Sequence, residues 1–183
     1  MSTRSDIINI ANELVLSKGY NAFSFADISK NLGIKKASIH YHFPSKTTLG
    51  QALIAQHIQE ANVLFEKNKN KKPILRIQDF FSIYESRKLA GQVCLVGSLA
   101  TDLYTMEQVI QDDIKNLASI ILSGLTDILE DGKSSGDFQF KEDPRTKALM
   151  ITTNLLGALQ VSRLTADQDF YQIKQTILEN ITS

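Results

Sequence analysis

The segment KKASIHYHFPSK, Lys35–Lys46, concentrates side chains that are able to do chemistry. It combines lysines with two histidines, a tyrosine, and small residues that let another molecule approach closely. Three kinds of chemistry use such residues: metal binding, acid–base catalysis, and the binding of a polyanion.

Metal binding and catalysis both fit this segment poorly. On a helix, His40 and His42 diverge by about 200°, so they cannot grip one ion together, and neither a cysteine nor an acidic ligand lies near them. A histidine base also needs a positioned partner, and the segment offers no carboxylate or thiol. We therefore predict no metal site, no cofactor and no catalytic site here.

Binding of DNA explains the composition better. The stretch FSFADISKNLG predicts a short helix with a capping box at Ser24 and Asp27, and Gly33 permits a tight turn into a second short helix. Ile39 and Phe43 lie four residues apart and would anchor that second helix in a small core. Such a pair is typical of a helix-turn-helix, whose second helix enters the major groove.

The outward residues of this pair form the predicted DNA-binding set. We expect Lys36 and His40 to reach base edges and Ala37 to meet a thymine methyl. Tyr41, Lys46 and Ser24 suit phosphates. The complete set is Ser24, Lys35, Lys36, Ala37, Ser38, His40, Tyr41, His42 and Lys46.

The elements that position these residues are all predicted helices. The 183-residue chain shows helical spacing throughout and no strand alternation, which predicts an all-α protein of about nine helices. Residues 1–72 carry 10 Lys and Arg against 5 Asp and Glu, whereas residues 73–183 carry 10 against 15. This asymmetry indicates that the first part binds a polyanion and that the second part has another role. We predict a helix-turn-helix DNA-binding domain over 1–48 and an effector-binding and dimerisation domain over 49–183, in which GKSSGDF reads as a loop. No apolar run is long enough for a membrane span, no secretory signal begins the chain, and Cys94 is the single cysteine, so we expect a cytoplasmic protein.

From about Ile7 to Leu53 the sequence resembles the TetR family of transcriptional regulators. The resemblance rests on Ala11, Leu14 and Lys18-Gly19-Tyr20, and on FSFADISKNLGIKKASIHYHFPSKTTL. It implies a homodimer that binds a two-fold symmetric operator, usually as a repressor released by a small effector. In such a dimer the last two long helices commonly pair with their copies, and ALMITTNLLGALQVSRL offers leucines beside Ala148, Gly157 and Ala158 for that seam.

The effector site implied by the resemblance would lie between the middle helices. The candidate effector-binding residues are Phe81, Tyr84, Cys94, Leu99, Tyr104, Leu122 and Asn154. QVCLVGSLATDL also resembles a branch with a Cys-Leu-x-x-x-Leu-Ala signature, akin to the N-ethylmaleimide-responsive repressors, in which modification of this cysteine releases DNA. Such sensing requires a cation or a helix N-terminus near the thiol. A short helix predicted near Gly97 would supply the second, whereas Arg163 is the only cation between Ala148 and Arg163. A buried hydrophobic role for Cys94 stays open.

Two other functions remain compatible with the sequence. The first is an all-α enzyme or small-molecule-binding protein that never contacts DNA, although the second part has scattered acids and no histidine. The second is a helical adaptor for another protein, which leaves the basic segment unexplained. We expect a regulator rather than an enzyme.

Overall fold

The computed structural model describes residues 3–182, and within this range it is entirely helical. The predicted all-α architecture is therefore confirmed. Nine α-helices and one short 3-10 helix follow in the order α1 (Thr3–Lys18), α2 (Phe25–Leu32), α3 (Lys36–His42), α4 (Lys46–Asn68), α5 (Pro73–Leu89), α6 (Leu95–Thr101), the 3-10 helix (Leu103–Thr105), α7 (Gln108–Ser135), α8 (Pro144–Val161) and α9 (Asp167–Thr182).

These helices form two compact units, each built from two stretches of chain. The first unit holds the chain up to Gln59 together with Leu95–Leu117. The second unit holds Glu60–Cys94 and the chain from Ala118 onward. Helices α4 and α7 contribute residues to both units. The predicted domain boundary at residue 48 stays a prediction. The two units are defined by packing, and each combines two separate stretches of chain, so they do not test a single boundary.

The core of the first unit fastens the helix-turn-helix to α1. Ile7, Ala11 and Leu14 of α1 are buried, as are Ile28 of α2 and Ile39 of α3. Three neighbouring apolar residues, Ile10, Leu32 and Ile34, are only half-buried. The last two lie where α2 ends and the chain turns, so they pack from one side only.

Both ends of α2 are stabilised as the sequence predicted. The Ser24 hydroxyl accepts a hydrogen bond from the Ala26 amide at 3.2 Å, and the Asp27 carboxylate accepts one from the Ser24 amide at 2.7 Å. Hydrogen bonds from the Ser24 side chain and amide hold the pKa of Asp27 below its ordinary value. At the other end, Gly33 has φ +65°, a left-handed conformation that glycine adopts without a steric penalty.

Residues 95–117 complete the first unit although they follow the predicted DNA-binding domain in sequence. The buried Ser98 hydroxyl of α6 donates to the Val15 carbonyl of α1 at 3.0 Å. Gly50 lets α4 approach α7 and Tyr20, which follows α1, since a Cβ there would lie 3.0 Å from both Ile110 and the Tyr20 hydroxyl. These contacts tie α1 and α4 to a distant part of the chain.

The second unit packs α5, α7, α8 and α9 around an apolar core. Phe80 of α5 contacts the rings of Phe65, Phe81 and Tyr84, with centroids 6.4, 6.3 and 5.4 Å away. The nearly buried Arg76 side chain forms an ion pair with Asp131 of α7 at 2.5 Å. This pairing matters because an unpartnered buried guanidinium would be strongly destabilising.

The segment GKSSGDF is not the loop that the sequence predicted. Its first four residues, 132–135, continue α7, and the helix ends only at Gly136, where φ is +80°. The chain then folds back, so that the Phe138 amide donates to the Gly132 carbonyl at 2.9 Å. Burial of the Phe138 ring thus keeps residues 132–135 helical, although glycine and serine favour a loop.

This arrangement predicts that Gly132→Ala destabilises the protein, although alanine is the better helix former. A Cβ at Gly132 would overlap the Phe138 ring, which is 2% exposed. We expect a loss of about 1–3 kcal/mol in the free energy of unfolding, measured by urea denaturation. The loss should shrink in a Phe138→Leu background, and a stabilising effect of Gly132→Ala in both backgrounds would contradict the packing.

Candidate nucleic-acid interface

Helix α3 is held by two buried residues and exposes the rest of its surface. Ile39 and Phe43 are 0% and 2% exposed. The predicted DNA-binding residues of α3 are exposed, Tyr41 to 84%, apart from His42, which is half-buried; Lys46, at the start of α4, is half-buried as well.

Two shallow depressions flank this exposed face and divide the predicted residues into two groups. The first depression, about 450 Å³, is lined by Phe23, Ser24, Phe25, Ala26, Lys36, His40, Ser45 and Lys46. The second, about 500 Å³, is lined by Thr3, Ile34, Ala37, Ser38, Tyr41 and His42. The structure thus brings together every predicted DNA-binding residue except Lys35, which is exposed and lines neither depression.

Aromatic contacts orient the histidines of α3. The His40 ring packs edge-on against Phe25, the first residue of α2, with centroids 4.9 Å apart. The His42 ring packs against Tyr41 at 5.2 Å. Sequence reasoning missed Phe25, whose signal was an aromatic residue immediately after the helix cap. Phe25 limits the rotamers of His40 and so directs its ring nitrogens.

The basic character of the face extends to the start of α1. Residues 34–46 contain no acidic residue. The Arg4 guanidinium lies 5.0 Å from the centre of the Phe43 ring, which brings a further cation to the end of α3. Arg4 was not predicted as part of the interface. In the sequence, the positive charge of Arg4 was the only sign that it could belong to the interface. Its stacking on Phe43 is apparent only from the three-dimensional structure.

The Ser24 hydroxyl is engaged within the protein. Its proton is donated to Asp27 Oδ2 at 2.7 Å, and its oxygen accepts from the Ala26 amide. A phosphate only accepts hydrogen bonds, so the hydroxyl would have to release Asp27 before donating to one. The Ala26 and Asp27 amides are engaged as well, by the Ser24 hydroxyl and the Ser24 carbonyl, so the start of α2 is fully hydrogen-bonded within the protein at these positions.

Lys46 is also engaged, although it lines the first depression. Its ammonium donates to the Phe23 carbonyl at 2.6 Å and lies over the rings of Phe23 and Tyr20, 4.3 and 4.8 Å from their centres. Burial lowers the pKa of Lys46, while the charges of Asp102 and Asp27 act to raise it. Lys46 is thus more constrained than the exposed lysines of α3.

The structure brings only some of the predicted effector-binding residues together. Phe81 and Tyr84 are buried in the core of the second unit, and Cys94 packs partly buried against that core. Burial raises the pKa of Tyr84 well above its ordinary value, and its hydrogen bond to Cys94 raises it further. These three residues form one cluster.

The other four candidates lie outside this cluster. Leu99 is buried in the first unit, and Tyr104, also in the first unit, is 92% exposed. Leu122 is half-buried on α7 and Asn154 is exposed on α8. Helical periodicity alone did not separate these environments, because it does not say which helices pack together.

Two features are absent from residues 3–182, namely a metal-binding cluster and a membrane-spanning helix. In this range no group of three or more His, Cys, Asp or Glu side chains is placed to hold a metal ion. No helix in the same range is both long and apolar enough to cross a membrane.

Comparisons with known proteins agree with the geometry of this face. Residues 7–53 match the family model of bacterial regulatory proteins, tetR family, and residues 74–177 match that of the tetracyclin repressor-like C-terminal domain. A TetR regulator from Legionella pneumophila is 31% identical with a TM-score of 0.88, covering 99% of this chain and 98% of that chain. A TetR-family regulator from Agrobacterium tumefaciens is 30% identical with a TM-score of 0.90, covering 98% and 97%.

A curated relative is matched over a shorter stretch. IcaR, the HTH-type negative transcriptional regulator of the biofilm operon icaADBC in Staphylococcus aureus, is 35% identical over 68 residues, which are 37% of this chain and 37% of IcaR. The matched part thus spans little more than a third of that relative. Over nearly its whole length, however, this chain has the fold of the solved regulators. The chain belongs to the tetR family of bacterial regulatory proteins, and it is a DNA-binding transcriptional regulator.

Proposed function

We propose that the protein is a homodimeric repressor that leaves its operator when a small molecule binds the second unit. The exposed, acid-free face of α3, held by Ile39 and Phe43, is the observation that carries this proposal. A dimer places two such helices in successive major grooves, about 34–36 Å apart, and so requires an operator of two-fold symmetry. Binding to DNA implies a cytoplasmic protein.

The two depressions suggest how α3 meets the duplex. Lys36 and His40 share the first depression with Ser24, Phe25 and Ala26 at the start of α2, so the proposed base contacts lie next to a helix N-terminus. Ala37 and Ser38 share the second depression with Tyr41. Their small side chains leave room for a thymine methyl, while the Tyr41 hydroxyl reaches outward to a phosphate.

One face of α8 supports a homodimer. Leu155 and Leu159, which the sequence suggested for a dimer seam, are buried in the core of their own unit together with Ala148 and Ala158. The outward face instead presents Leu149, Met150, Val161 and, just beyond the helix, Leu164, which are 42, 42, 52 and 87% exposed. At Gly157 a Cβ would meet no other atom of this chain within 4 Å, which leaves a notch for a second helix.

The sign of regulation is inferred from a relative. IcaR is named a negative regulator, and its similarity to this chain lies in a stretch of 68 residues. A repressor needs only to occupy its operator, which the α3 face is suited to do. We therefore propose repression as the default action of the DNA-bound dimer.

Effector release is proposed for the cluster of Phe81, Tyr84 and Cys94. The Tyr84 phenol gives this apolar wall one polar tip, which would orient a mostly apolar ligand. Phe80 already contacts three rings, so a ligand entering here would displace aromatic side chains. Such displacement is one way for binding to shift the population of DNA-binding conformations.

Modification of Cys94 is the second form of release that we propose. The thiol is only partly buried, lies directly before α6 at Leu95, and interacts with the Tyr84 phenol. An adduct would break that interaction and enlarge a side chain at the edge of the core. The proposed resemblance to the N-ethylmaleimide-responsive branch depends on this chemistry.

Substitutions on α3 should separate base reading from phosphate contact. Lys36→Ala or His40→Ala should cost about 1–3 kcal/mol on a selected operator and relax base preference at one position of each half-site. Tyr41→Phe should weaken binding to all duplexes alike, by about 1 kcal/mol. Fluorescence anisotropy with the operator and single-base variants measures both effects.

The exposed Lys141 of the second unit provides the matched charge control. Lys141→Ala should leave affinity and base preference unchanged. If Lys36, His40 and Tyr41 substitutions all changed base preference identically, or if none weakened binding, the assigned roles would be wrong.

The α8 face predicts that Gly157→Glu converts the dimer to monomers. Because the subunit leaves space around this position, each monomer should stay folded, with unchanged helical content by circular dichroism. Sedimentation velocity measures the dissociation, and operator affinity should fall with it. Gly157→Ala, which adds only a methyl group, is the matched control. A Gly157→Glu dimer of wild-type stability would place the interface elsewhere.

Thiol chemistry can be tested cleanly because Cys94 is the only cysteine. N-ethylmaleimide should release the wild-type protein from its operator, whereas Cys94→Ser should bind DNA normally and resist the reagent. Anisotropy after treatment and mass spectrometry of the adduct measure the result. Full modification without release would contradict a sensing role and leave small-molecule release as the proposal.

A further inference from the structure

We propose that Lys46 is a positioning residue whose ammonium holds the start of α2 in its DNA-binding position, rather than a lysine that neutralises a phosphate. This inference rests on the proposed DNA-binding face, since it concerns how that face is kept in shape. It assigns to Lys46 a different role from the phosphate contact that its sequence position suggests.

Lys46 and Asp27 grip opposite sides of one peptide group. The Phe23 carbonyl accepts from Lys46 Nζ at 2.6 Å, and the amide of the same peptide, on Ser24, donates to Asp27 Oδ2 at 2.7 Å. The peptide dipole therefore lies between a cation and an anion. Because Ser24 caps α2, this arrangement sets where the helix begins.

Lys46 is itself held from two directions. Its ammonium lies over the rings of Tyr20 and Phe23, which pack edge to face with centroids 6.0 Å apart. The Tyr20 hydroxyl donates to the Lys46 backbone carbonyl at 3.0 Å. Both aromatic residues are buried, at 8% and 5% exposure. Moving the ammonium out to a phosphate would break its hydrogen bond to the Phe23 carbonyl and its contacts with both rings.

The position of the α2 start matters for the whole first depression. Ser24, Phe25 and Ala26 line it beside Lys36 and His40, and Phe25 also packs against the His40 ring. A shift of this helix start would move Ser24, Phe25 and Ala26 and loosen the packing of His40 against Phe25. Losing the Lys46 ammonium should therefore reduce affinity and base preference without removing a charge contact to DNA.

The salt dependence of DNA binding distinguishes the two roles of Lys46. A duplex selected by the wild-type protein from a random-sequence library serves as the probe, and affinity is measured over a range of salt concentrations. Each lost phosphate contact reduces the slope of log affinity against log salt by about 0.9. Lys46→Met should weaken binding about tenfold and leave the slope unchanged. Tyr20→Phe, which removes no charge, should weaken binding in the same way, and the double variant should lose less than the sum.

Amide hydrogen exchange supplies a readout at the helix start. In Lys46→Met, exchange at Ala26 and Asp27 should quicken while the protein remains folded. Ser98→Ala is the stability control, because it removes a buried hydrogen bond of the same unit from α1 rather than from α2. It should lower the melting temperature yet preserve affinity and the α2 exchange rates.

Other outcomes would overturn the proposal. A slope reduced by about 0.9 in Lys46→Met, with unchanged exchange in α2, would make Lys46 a phosphate contact. Unchanged affinity would make it irrelevant to DNA binding. If the wild type selected no duplex, the proposed face would fail instead, and unchanged exchange in α2 would then separately refute the hold on the helix start.

Discussion

The burial of Ile39 and Phe43 is the interaction on which the DNA-binding face depends. Helix α3 has only seven residues and would not persist alone in water, because so short a helix does not repay its nucleation cost. Two apolar side chains, packed against α1 and α2, keep it helical and fix its rotation. Every polar residue of the face takes its direction from that anchor, including Lys36 and His40 on one side and Tyr41 on the other. The polar residues of α3 are therefore able to contact DNA only because these two apolar side chains hold the helix in place.

Polar groups near the interface serve the fold before they serve a ligand. The Ser24 hydroxyl gives its proton to Asp27, and the Lys46 ammonium gives one of its protons to the Phe23 carbonyl. Both residues sit at the start of a helix, where unpaired backbone groups need partners. If every surface lysine and serine were counted as a DNA contact, the number of DNA contacts would be overestimated. The role of some of these residues in stabilising helix starts would also be overlooked. In the contacts described, no hydrogen bond to a helix start engages the exposed side chains of Lys35 and Lys36. Arg4 only stacks on the Phe43 ring.

The second unit shows the same division between two faces of one helix. Helix α8 buries Leu155 and Leu159 inward and presents Met150, Gly157 and Val161 outward. A leucine-rich sequence with small residues satisfies both a subunit core and a dimer seam, so composition alone does not separate them. The packing of neighbouring helices decides which face of α8 is buried, because α5 and α9 cover one side. The uncovered side is the surface against which a second copy of the chain would pack in the proposed dimer.

The sequence by itself determined the all-α architecture, the helix-turn-helix and the location of the basic face, because apolar spacing, capping pairs and turn glycines act locally. Ser24 with Asp27 and Gly33 specify α2 from within a few residues. Only the tertiary structure decided which polar side chains are free, since the partners of Lys46 lie 20 or more residues away along the chain. It also decided that residues 95–117 pack with the DNA-binding helices, that Tyr104 and Asn154 lie apart from the Tyr84 cluster, and that Gly132 belongs to a helix. These outcomes depend on which surfaces meet over long range, and the local periodicity of a sequence does not contain that information.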